Sequence, residues 1–184
     1  ASCQFQAALE TPYNLGEARH LLANQSDVYY WAGIALEKQG KADEARKCWL
    51  RATRFKRDFQ QMTVKNISDM TYWSALAHQC LGENDQAQAL LRQVYEHSLE
   101  LETVEPKIDY FATSLPAMLL FEEDLRRRNA IEARYLRAQS YAGLGKVQEA
   151  ELLLQEVLTM DASHAGASDL LQQIHMPKAT FRAG

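Results

Sequence analysis

The chain has 184 residues, enough to bury a sizeable core as one domain or as several stacked repeats. A formal charge of −4 argues against a general nucleic-acid binder, and no apolar run approaches the ~18–20 residues of a membrane-spanning helix, the longest lying near Leu115–Phe121. Leu, Ala, Glu, Gln and Arg dominate while Gly and Pro are few, which predicts an all-α protein; Cys3, Cys48 and Cys80, odd in number and far apart, read as reduced thiols of a cytoplasmic protein.

In chain order, Phe5, Ala8 and Thr11-Pro12 read as the close of a helix whose front half is missing, in a chain that starts without Met. The expectation is a C-terminal piece of a larger protein. Asn14 caps a lead-in helix with a stripe of Leu15, Ala18, Leu21 and Leu22. Ser26-Asp27 caps a helix over about 27–39, and a second runs over about 42–57. The basic cluster Arg51, Arg54, Lys56 and Arg57 then falls at a helix C-terminus, where cations complement the dipole. A loop over about 58–67 leads to Ser68-Asp69, a second cap, with helices over about 69–81 and 84–101. Pro106 interrupts the pattern within a linker at 102–112. Thr113 or Ser114 caps a helix over about 115–128, with Pro116 in its first turn. Helices over about 131–143 and 146–160 follow, and Ser163 starts a last one to about 174.

A phrase recurs three times along this series. Gly40, Gly82 and Gly145 are each followed five positions later by Ala45, Ala87 and Ala150. Apolar pairs follow at helical spacing: Trp49 and Ala52, Leu91 and Val94, Leu154 and Val157. Seven residues before each glycine stands a small residue, Gly33, Ala75 or Ala138. A helix, a glycine turn and a second helix in this order resemble the tetratricopeptide (TPR) repeat. The resemblance implies an all-α, right-handed TPR-like solenoid. Repeats are expected at 26–59, 68–101 and 131–164, with 1–25 a truncated repeat plus lead-in helix, 102–130 a helical insertion, and 165–176 a capping helix. Against a standard period of ~34 residues, the glycines are 42 and 63 apart, so the larger excess is the insertion.

Catalytic signals are poor. His20, His78, His97, His164 and His175 are scattered, and His78 and Cys80, two apart on a helix, point in different directions. Gly143 and Gly145 fit a helix end better than a phosphate loop, and Glu122, Glu123 and Asp124 are consecutive and cannot converge. No catalytic residue, metal or cofactor is assigned, and the fragment itself is read as not an enzyme.

Binding signals are better. In the TPR pattern, defined positions of each first helix face a concave groove. Aligned on the glycines, the fifth position is Tyr30, Tyr72 and Tyr135, and the second is Asp27, Asp69 and Glu132. These six are the groove-binding candidates, with the tyrosines expected to be partly exposed. Acids beside aromatics favour a basic or polyhydroxylated ligand over an anionic one. Packing between repeats is the competing role for the tyrosines, and helix starts the competing role for the acids. The basic clamp by which chaperone-binding members hold a C-terminal carboxylate is absent, because its slots carry Tyr30, Ile34, Leu76, Tyr135 and Gln139.

The insertion phrase from Ile108 to Asp124, together with Asn14-Leu-Gly-Glu17, resembles the C-terminal helical region of large bacterial TPR proteins that carry an N-terminal β-rich domain of unknown function. On that resemblance Asp109, Tyr110, Phe111 and Ser114 are insertion candidates, and the stretch 108–116 is expected near the groove. The implied function is a protein or ligand interaction scaffold, with a protein or peptide partner or an upstream domain of the same chain. The alternative is an accessory module that completes or orients the site of an upstream carbohydrate-active domain. A third reading is self-association through the end left by the missing first helix. Nucleic acid and membrane are not expected partners.

Overall fold

The computed structural model describes residues 2–10, 22–60, 63–104 and 125–176. The lead-in helix at Asn14, the break at Pro106, the Thr113/Ser114 cap, and the candidates Asp109, Tyr110, Phe111 and Ser114 lie outside the described residues. The elements are α1 (Ser2–Leu9), α2 (Ser26–Glu37), α3 (Ala42–Ala52), β1 (Asp58–Gln60), β2 (Thr63–Lys65), α4 (Asp69–Cys80), α5 (Asn84–Thr103), α6 (Leu125–Gly143), α7 (Val147–Met160) and α8 (Ala165–His175). The architecture is an all-α solenoid apart from the small β1–β2 ribbon.

The three recurring glycines end α2, α4 and α6 in the same way. Gly40, Gly82 and Gly145 have φ of 77°, 79° and 79°, a left-handed backbone that a side chain disfavours. Each lets the next amide reach back to satisfy a terminal carbonyl: Lys41 donates to Leu36, Glu83 to His78, and Lys146 to Tyr141. The chain reverses in one step, and α2 packs on α3, α4 on α5, and α6 on α7. Ala45, Ala87 and Ala150 have no exposure at all.

Successive hairpins stack through their first helices. α4 packs on both α2 and α3, and α6 packs on both α4 and α5. The 21-residue stretch between α5 and α6 therefore leaves the stacking of the second and third hairpins intact. Side chains cross these seams onto backbone. Ser26 Oγ donates to the Met70 carbonyl (2.7 Å), and Ser140 Oγ to that of Leu91 (2.8 Å). Gln139 Nε2 donates to the Asp69 carbonyl (3.2 Å). At the second seam Arg137 and Arg134 pair with Glu102, at 2.7 and 3.8 Å.

The first hairpin carries a variation at its centre. Trp49 stands where the other second helices have Leu91 and Leu154, and Gly33 faces it where the others have Ala75 and Ala138. A β-carbon built on Gly33 would lie 2.2 Å from Trp49 Nε1. The indole fits because the facing helix has no side chain there.

Four expectations are corrected. The first is the loop at 58–67, which holds the antiparallel ribbon, with Phe59 opposite Val64. Asp58 anchors it: its carboxylate accepts from Ser68 Oγ (3.0 Å), Gln60 Nε2 (2.7 Å) and the Asn24 amide (3.3 Å). The second is the helix expected to reach residue 57. α3 ends at Ala52, whose carbonyl is taken by Ser74 Oγ (2.9 Å) from α4, so only Arg51 of the basic cluster lies in its last turn. The third is the break placed between residues 128 and 131. α6 runs unbroken from Leu125, and Arg134 Nη1 donates back to the Ala130 carbonyl within it (3.1 Å). The last concerns caps. Ser26 lies inside α2 and spends its hydroxyl on Met70, while α8 is capped by His164, whose Nδ1 accepts from the Ala167 amide (3.0 Å). Ser163 instead donates to Asp161 Oδ1 through its amide and hydroxyl. Ser68 does cap α4: its Oγ accepts from the Met70 amide, and Thr71 Oγ1 accepts from the Ser68 amide.

Candidate functional site

The first helices α2 and α4, with Tyr135 of α6, form one wall of a groove of about 460 Å³, and α8 closes it with Gly166, Asp169, Leu170 and Gln173. The last helix is thus more than a solvating cap. It buries Ala167 and Leu170 against the rest of the fold, and Leu170 together with Gly166, Asp169 and Gln173 also lines the cavity.

The predicted candidates divide here. Asp27, Asp69, Tyr72 and Tyr135 line the groove; Tyr30 and Glu132 do not. The three tyrosines are not the partly exposed stripe expected of them, since Tyr30, Tyr72 and Tyr135 are only 8%, 3% and 8% exposed. Two of them pack across seams. The Tyr30 ring packs on Trp73 of the next hairpin (5.5 Å between centroids). Tyr135 packs on the His164 imidazole (4.6 Å), with its hydroxyl under Gly166. Burial pushes all three phenols well above the ordinary tyrosine range, so they remain neutral hydroxyls.

The aromatic surface of the groove is instead Trp31 and Trp73, which sequence reasoning passed over. Both are half-buried, with ring centroids 5.8 Å apart. Trp31 rests edge-on against Tyr30 (5.3 Å), and Trp73 against Tyr72 (5.1 Å). The buried tyrosines therefore buttress the tryptophans. A signal was present, because the dipeptide Tyr-Trp occurs twice at the same offset before its glycine, Gly40 or Gly82.

The electrostatics of the groove are one-sided. Asp27, Asp69 and Asp169 line it, and no Lys, Arg or His does among the described residues. Burial raises the Asp69 carboxyl, and nearby Asp58 and Glu132 add to this; Gln60 and Lys65 oppose it. Gln60 Nε2 donates to Asp69 Oδ1 at 2.6 Å. Asp27 is raised by burial first, then by repulsion from Asp69 and Asp58, against the Val28 amide. Glu132 is held apart by Lys65 of the ribbon (2.6 Å). Among the described residues no group of His, Cys, Asp and Glu is arranged to hold a metal ion, and no helix is long and apolar enough to cross a membrane.

Stacked helical hairpins with a concave, aromatic-lined face define a helical-repeat interaction scaffold. Models of the tetratricopeptide repeat family match residues 27–54 and 131–164. The chain thus carries tetratricopeptide repeats at these residues, and the repeat is a non-catalytic scaffold for protein interaction. Among solved structures the chain is similar to the first TPR of Spaghetti (RPAP3) bound to the HSP90 peptide SRMEEVD. Identity is 16%, over 84% of this chain and 95% of that chain, with a TM-score of 0.28.

Proposed function

We propose that the groove between α2, α4, α6 and α8 binds an extended segment of a protein partner, and that the chain serves as the C-terminal interaction module of a larger bacterial protein. The observation that carries the binding reading is the inversion between sequence neighbours on each first helix. Tyr30 and Tyr72 are buried as buttresses, while Trp31 and Trp73 keep open surface toward a cavity. A rigid aromatic whose support is already assembled loses little entropy on binding, which is the character of an interface anchor. The larger-protein context draws support from the likeness of Asn14–Glu17 and Ile108–Asp124 to large bacterial TPR proteins.

The test is selection of a random dodecapeptide display library on the whole chain, scored against Trp73→Ala. Selected peptides should bind the unaltered chain at least roughly tenfold more tightly than the variant, about 1.4 kcal/mol. Asp169→Lys, at an exposed position on the groove wall, checks the site without touching the core. Binders indifferent to both substitutions would place recognition elsewhere and refute the reading.

A further inference from the structure

The groove holds a small duplicated unit. Asp27 and Trp31 are four residues apart on α2, and Asp69 and Trp73 are four apart on α4, so each helix offers a carboxylate and an indole one turn apart on one face. The third hairpin departs from it at both positions. Glu132 is already paired with Lys65, and Leu136 is 1% exposed. Among the described residues there are thus two such units, side by side on adjacent helices.

A carboxylate beside an aromatic face is the environment that a guanidinium or ammonium seeks. The ring attracts the cation within ~6 Å of its centre, and the acid supplies the counter-charge. Asp27 and Asp169 make no ion pair among the described residues, and the acceptor contact of Asp69 is to a neutral amide, Gln60. The site is therefore electrostatically incomplete in one sign. The two indoles lie 5.8 Å apart between ring centroids, and side chains on one face of an extended chain recur every second residue, ~6.6 Å along, so cations at positions i and i+2 match the two units. This deepens the groove-binding reading and rests on it.

We propose that the groove recognises an extended peptide with two basic side chains two residues apart, one seated at Asp27/Trp31 and the other at Asp69/Trp73. Arginine suits both seats better than lysine, since its planar group stacks on indole while donating to a carboxylate. Asp169 on α8 adds negative charge opposite and admits the same sign of ligand.

The same library selection decides this by the composition of its Trp73-dependent binders. They should carry the spaced basic pair, and replacing either basic residue with glutamine should weaken binding roughly tenfold. Asp27→Asn should produce a similar loss, and the loss should not compound with removal of the peptide cation that it faces. Asp69→Asn should act likewise on the other cation, with circular dichroism confirming that its helix persists. Trp73-dependent binders that lack the basic pair, or that ignore both aspartates, would overturn this proposal while leaving the groove reading in place. A selection with no Trp73-dependent binder would overturn both.

Discussion

Replacing Gly33 with Ala tests the most specific packing contact in the first repeat. In an ordinary helix interior that change is favourable by about 0.5–1 kcal/mol, because glycine loses more backbone freedom on folding. Here the new β-carbon would fall 2.2, 2.6 and 2.8 Å from Nε1, Cδ1 and Cε2 of Trp49. Favourable contact between heavy atoms begins near ~3.5 Å, so the indole would have to withdraw by more than ~1 Å. Trp49 is 5% exposed, a member of the same buried core as Ala45, Ala52 and Ile34, which leaves it little room to withdraw. Overpacking of this kind costs about 1–3 kcal/mol, outweighing the gain in propensity. Urea denaturation followed by far-ultraviolet circular dichroism should show Gly33→Ala less stable by about 1–2 kcal/mol. In a Trp49→Leu background the same change should stabilise, because it recreates the Ala75–Leu91 and Ala138–Leu154 combination of the other repeats. Stabilisation of the unaltered chain by Gly33→Ala, or equal effects in both backgrounds, would show that the helices do not meet through this pair.

The ribbon depends on one carboxylate, so Asp58→Ala should lower stability by about 1.5–3 kcal/mol, with Asp58→Asn recovering part of the loss; a change within ~0.5 kcal/mol would remove Asp58 as its anchor. The raised carboxyls of Asp27 and Asp69 bind protons more tightly in the folded chain, so their contribution to stability falls as pH rises from the ordinary carboxyl range through the raised values. Asp27→Asn should therefore stabilise the chain above that window and leave it unchanged below, as pH-dependent denaturation would show. Affinity for a basic peptide should decline as pH falls into the same window. Burial, followed by the charge of Glu37, pushes the Cys80 thiol up to about 12, so at neutral pH it should react with Ellman's reagent far more slowly than a free thiol; prompt labelling in the folded chain would contradict its half-buried position.

The repeat was legible in the sequence because its determinants are local or periodic. A left-handed backbone at Gly40, Gly82 and Gly145 needs glycine, and the crossings need alanine at one fixed offset, so both leave a residue-by-residue mark. What escaped depends on partners distant in sequence. Three-residue strands have no pattern of their own and exist where Asp58, Gln60 and Lys65 find Ser68, Asp69 and Glu132. Likewise α3 stops at Ala52 with no glycine or proline to stop it, because a serine on the next hairpin takes its carbonyl. The site divides on the same principle. The acids at the second position, Asp27, Asp69 and Glu132, were found from sequence, and the two aspartates line the groove. Tyr30 and Trp31, or Tyr72 and Trp73, are separated by only ~100° around a helix, too little for periodicity to say which faces a neighbour and which faces open space. Stacking of α4 against α2, and the arrival of α8 across the groove, decided that the tyrosines are buried and the tryptophans keep open surface.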